Sequence, residues 1–170
     1  MRSYVLERQI LRVFLHSWFI ALGQSSLGQL MQTSKWGFAL VEMAHLVALA
    51  ILGGALLIVD LRLLGLVLKG ESARTIGRDL SRIVIGGLIV MILTGIALLS
   101  EEAGKCYFSP AFRWKMALLA SAVLFYFTLH RRALLHTDIG TPNFWSRAAA
   151  VLSLTLWLGV GVAGRAIGLI

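Results

Sequence analysis

Besides the polar-mixed segment after Arg12, four long apolar stretches of this chain contain no Asp, Glu, Lys or Arg: residues 43–59, 83–100, 116–129 and 148–164. A charge at the centre of a bilayer costs about 2.5 kcal/mol or more, so such runs mark where a helix can cross. Each is near or short of the roughly 20 residues that span hydrocarbon, so flanking Lys115, Arg131, Arg132 and Arg147 must snorkel. Of 170 residues 58% are hydrophobic and 14% charged, too apolar a balance for a small water-soluble domain. The expected fold is an all-α integral membrane protein forming a single membrane domain over 1–170. Its core is a bundle of four transmembrane helices over 36–61, 81–100, 112–132 and 145–168. An N-terminal helix within 1–33 either spans or lies in the interface.

Hydropathy leaves residues 13–31 undecided, because aromatic and aliphatic side chains mix there with His16, serines and glutamines. With four crossings the 16 Lys and Arg residues divide evenly, Arg62, Lys69, Arg74, Arg78, Arg82, Arg131, Arg132 and Arg147 against the other eight. A fifth crossing over 13–31 moves Arg2, Arg8 and Arg12 to the first group, eleven against five, and the positive-inside rule favours that arrangement. An amphipathic interfacial helix, with Leu6, Ile10 and Phe14 opposite Arg8 and Arg12, is its rival. No small-x-small cleavage site follows the apolar run, so the segment is read as part of the mature chain. The net charge of +8 belongs to loop ends at a membrane surface, and no nucleic-acid partner is expected.

Ionisable groups inside apolar spans carry the functional signal. Glu42, His45 and Asp60 lie on the first span; at about 100° per residue Glu42, Gly53 and Asp60 share a face, with His45 about 60° away. Lys115 and His130 stand at opposite ends of the third span. The fourth carries Ser153, Gly161, Gly164 and Gly168 as a packing ridge, with Arg165 beside it. Glu42, His45, Lys115 and Arg165 then share one half of the membrane, while Asp60, Arg62, His130 and His136 share the other.

Neutral imidazole is a common metal ligand and haem axial ligand, and helix-borne histidines build cofactor sites in bundles. Its bland counterpart is a histidine hydrogen-bonded within a helix interface. On helix rise His45 and His130 stand about 20 Å apart, too far for one iron, which suggests an outer and an inner site. His16 could complete the inner one, and Met116 or Met31 the outer. With a single cysteine, Cys106, and no C-x-x-C-H, any haem is held non-covalently. Glu42 reads as an ion-pair partner of Arg165 or Lys115, cations that could instead neutralise propionates. A lone Glu42-x-x-His45 is too little for a di-iron site. Gly159, Gly161 and Gly164 form a G-x-G-x-x-G string inside an apolar helix, where helix packing is its natural role.

The segments E-M-A-H-L-V-A-L-A-I-L-G-G (42–54), D-L-R-L-L-G (60–65), L-T-G (93–95), F-R-W-K-M-A-L-L (112–119) and W-L-G-V-G-V-A-G-R (157–165) resemble an uncharacterised family of small bacterial membrane proteins. More distantly, a histidine early in one helix, a T-G pair in the next and a Lys followed by a distal His in the third are similar to two other groups. These are the copper-resistance protein D family and the haem-dependent membrane protoporphyrinogen oxidases. That resemblance implies haem b or copper at His45, with Lys115 and His130 as supporting groups. The Lys115 to His130 interval is longer than in the oxidases, and the methionine-rich outer surface of a copper carrier is missing.

The resulting expectation is a haem b-binding cytochrome, with one or two haems, of the bacterial inner membrane. His45 and His130 are its axial ligands, Lys115 and Arg165 its propionate partners, and Glu42 and Asp60 orient imidazoles or relay protons. Expected partners are the lipid bilayer, a quinone or redox-partner protein, and a second copy of the chain. The alternatives are a copper-handling permease and a structural subunit without cofactor.

Overall fold

A computed structural model describes residues 14–135 and 143–167, and among these every regular element is helical. Residues 14–24 form α1 and Ser26–Thr33 α2; α3 runs over Lys35–Leu63, α4 over Ala73–Glu101 and the short α5 over Ala103–Phe108. Pro110–Phe125 (α6) continues through a π-helical turn, Tyr126–His130, into Arg131–Leu135 (α7), and Phe144–Ile167 is α8. Four helical stretches are long and apolar enough to cross a membrane: Lys35–Leu63, Ala73–Glu101, Pro110–Leu134 and Phe144–Ala166.

The start expected at residue 81 lies at Ala73, two turns earlier. Ser72 caps those turns by accepting the Thr75 amide at 3.0 Å. Their basic residues had marked them as loop, but charges are tolerated on the wet first turns of a long helix. At its other end α3 stops in a Schellman turn. Gly65 adopts φ 78°, its amide donating to Arg62 O at 3.0 Å while the Leu66 amide reaches Leu61 O at 2.9 Å. Gly65→Ala forces a Cβ into left-handed backbone and is expected to cost about 1–2 kcal/mol, read as a lower melting temperature in detergent.

Residues 14–33 do not form one continuous helix. The described part breaks at Ser25, whose hydroxyl donates to Leu22 O at 2.6 Å and accepts the Gly28 amide at 3.2 Å. Gln32 Nε2 ties the pair back by donating to Gly23 O at 3.2 Å and Glu101 O at 3.3 Å. The segment is thus two short helices, with Gln32 of the second bonded to the end of α4.

Contacts group the chain into two compact units, Met1–Leu46 with Met91–Ser109, and Val47–Val90 with Pro110–Ile170. In the second, Val59, Leu63, Ala73, Ile76, Leu134 and Ala150 form the core. Helices α6 and α8 run antiparallel: a Cβ on Gly159 would lie 3.3 Å from Leu118, and one on Gly164 3.6 Å from Lys115. The G-x-G-x-x-G string thus serves packing at two of its glycines. Along α3 the buried face is Ala48, Leu52, Leu56, Val59 and Leu63. Gly53 opens to nothing, while Gly87 of α4 receives Leu52, a Cβ there lying 3.1 Å from Leu52 Cβ. The predicted stripe of Glu42, Gly53 and Asp60 is a flank of this face rather than its centre.

Candidate functional site

Near the end of α3, Asp60 meets His130 from the π turn. Both side chains are wholly buried, with His130 Nε2 2.7 Å from Asp60 Oδ1. The π geometry lets the Arg131 amide reach Tyr126 O, five residues back, so the turn carries one residue more than an α turn. It also stacks Tyr126 on the imidazole, centroids 5.6 Å apart at 28°, with Phe125 tilted at 6.2 Å. Asp60 Oδ2 and His130 Nδ1 have no partner. Two residues beyond Asp60, Arg62 is also fully buried; its Nε donates to Glu71 O at 2.8 Å while its two terminal nitrogens find no partner. Polar atoms left so are expensive, and these four mark this end of α3 as the most frustrated place among the described residues.

No porphyrin fits at His130 in this arrangement. Its Nε2 is engaged by a carboxylate, an aromatic ring covers its face, and no part of it is exposed, so a flat macrocycle has no room. An inner haem on His130 would need this arrangement to open. Asp60 and His130 form a closed polar pair.

The other histidine is placed differently. His45, half-buried on α3, has Nδ1 2.7 Å from the Thr94 hydroxyl of α4. The Thr94 hydroxyl also lies 3.4 Å from Met91 O of its own helix. Next to Thr94, a Cβ on Gly95 would lie 3.6 Å from the ring's Cε1. The H and T-G motifs, 49 positions apart, thus meet in space.

The remaining candidates each lie within one unit. Glu42 is exposed. Lys115 is half-buried with its stem along Gly164, and Arg165 is exposed. His16 packs edge-on to Tyr107 and Phe108 at 5.0 and 6.0 Å in the first unit, a setting of aromatic packing rather than ligation. Met31 is buried beneath the α2–α3 turn, Met116 is exposed, and His136 lies outside the described residues. No cluster of three metal-type side chains occurs among the described residues. Glu102 forms an exposed ion pair with Lys105, whose ammonium is held above its ordinary pKa by that hydrogen bond and charge. Thr94 and Tyr126 were missed as site residues; the L-T-G string was the available signal for the first.

Residues 18–170 match a family described as a family of unknown function, DUF6644. No curated protein and no solved structure matches the chain.

Proposed function

The chain belongs to the DUF6644 family, and from that starting point we propose a multi-pass protein of the bacterial inner membrane that holds haem b on His45 and passes electrons across the bilayer. The observation that carries this is the 2.7 Å bond from His45 Nδ1 to Thr94 Oγ1. A ligating histidine needs its second nitrogen anchored, which fixes the tautomer and the ring plane. Thr94 supplies that anchor, and Gly95 keeps side-chain bulk from the ring edge. Bound there, haem b supplies one-electron iron chemistry, with a quinone or partner protein as donor or acceptor. The resemblance of the same His, T-G and Lys residues to the copper-resistance protein D family and the membrane oxidases supports the same position.

Visible absorbance of the detergent-purified protein tests this. We expect a Soret band with a sharp reduced α-band, lost in His45→Ala and retained in His130→Ala. Colourless wild-type protein overturns the proposal. Stoichiometric copper in such protein would favour the permease. Neither haem nor copper would favour the structural subunit, a reading that the hydrogen bonds of both imidazoles to protein atoms also suit.

A further inference from the structure

Between Val13 and Ser34 the chain carries no Asp, Glu, Lys or Arg. Helices α1 and α2 fill most of that interval and leave large apolar side chains uncovered: Phe14 is 67% exposed, Trp18 49% and Leu30 54%, with Leu15, Ile20 and Leu27 also open. Exposed hydroxyls turn back on the backbone, Ser17 donating to Phe14 O at 2.8 Å and Thr33 to Gln29 O at 2.7 Å. A helix pair bathed in water bears charge on its outer face, and leaving apolar surface wet costs about 25 cal/mol per Å². Crossing is no better an answer. At about 1.5 Å per residue α1 is about 16 Å long and the eight-residue α2 about 12 Å, against about 30 Å of hydrocarbon. Both helices also stay at one level. His16, early in α1, packs on Tyr107 and Phe108, while a Cβ on Gly23, at its end, would lie 3.5 Å from Ala103 Cβ. Gln32, at the end of α2, donates to Glu101 O at 3.3 Å. All three points fall against residues 101–108, where Glu101, Glu102 and Lys105 end the apolar run of α4.

We propose that the α1–α2 corner is a membrane-interface anchor, lying flat at the boundary of headgroups and acyl chains on the side where α4 ends, with phospholipid as its partner. Aromatic rings favour that layer, where one edge is dry and the other wet, and Trp18, Trp36, Tyr107 and Phe108 all belong to this one unit. The same unit carries exposed apolar flanks of α3 and α4, Leu40, Met43, Leu93 and Ile96, so lipid that wraps those spans reaches the corner too. With no charge over 13–34, the contact is apolar and aromatic rather than an attraction to anionic headgroups. The anchor rests on the membrane reading but not on haem at His45.

Depth-dependent quenching of Trp18 in vesicles reads it out. The full chain and Trp18→Phe are each placed in phosphatidylcholine carrying a nitroxide either near the headgroup or at the acyl end, and their difference isolates Trp18. The shallow label is expected to quench the Trp18 signal at least about twofold more than the deep one. Exchanging half of the lipid for phosphatidylglycerol should leave that ratio unchanged. Stronger quenching by the deep label means a crossing. Quenching by neither label, with shielding from acrylamide, means that a second copy or a partner protein covers the face; quenching by acrylamide alone means water. Each of these overturns the anchor, as does a ratio that tracks phosphatidylglycerol. If Trp18→Phe does not fold, a spin label on Leu27→Cys, with buried Cys106 left unlabelled, reads the same depth. Its relative access to oxygen and to a water-soluble nickel complex then decides by the same outcomes. Recovery of the chain in water without detergent sinks the membrane reading and the anchor with it, whereas a displaced Trp18 in a chain whose other tryptophans meet lipid sinks the anchor alone.

Discussion

Asp60→Ala is expected to destabilise the second unit by about 3 kcal/mol or more, the usual cost of removing one partner of a buried polar pair. His130 would keep its wholly enclosed position with both ring nitrogens unpaired, and water cannot reach them without opening the contact between α3 and the π turn. His130→Ala should cost a similar amount, because Asp60 then holds two unpaired oxygens. The double substitution Asp60→Leu, His130→Leu should recover most of the loss, since the penalty lies in orphaned polarity rather than missing volume. Melting of the three variants in detergent checks this. A double variant as unstable as the sum of the singles would show that the pair is not the coupled unit described.

Gly28→Ala should dislodge the N-terminal helices while leaving α3 to α8 folded. A Cβ at Gly28 would run into the carbonyl oxygen of Gly23 and lie 2.8 Å from Leu22 O, backbone atoms that cannot rotate away. The α1–α2 corner must open, and overpacking of this kind costs about 1–3 kcal/mol. Limited proteolysis should then cut within 14–33 faster than in the parent chain, with the melting of the rest unchanged. Equal cleavage rates would mean that the corner tolerates a methyl group.

The helical layout was legible because a charge-free run has few ways to sit in oil, and all four long helices stand on such runs. Their ends were less so. The turns of Arg74 and Arg78 looked like loop because charge was taken to exclude helix, when it excludes only the hydrocarbon. Asp60, His130 and His45 stood out as ionisable residues in apolar sequence. Their pairings did not, since His130 meets Asp60 through a π turn that ideal helical periodicity cannot anticipate. Thr94 was hidden for a different reason: a hydroxyl in an apolar helix usually satisfies its own backbone, and only a neighbour from another helix reveals its second use. Glu42 was over-read. Sharing a face with Asp60 placed it correctly around the axis, but the buried face of α3 is centred elsewhere.

The supernumerary residue between Tyr126 and His130 works as a phase correction in the third long helix. Without it, every side chain from His130 onward would be rotated by about 100° relative to α6. One inserted position therefore sets two alignments at once, turning the imidazole toward Asp60 and bringing Arg131 to line a basic cavity with Arg74 and Arg78. The interior pair and the basic cavity are geared to a single step in the backbone, and neither can be retuned along this helix without moving the other.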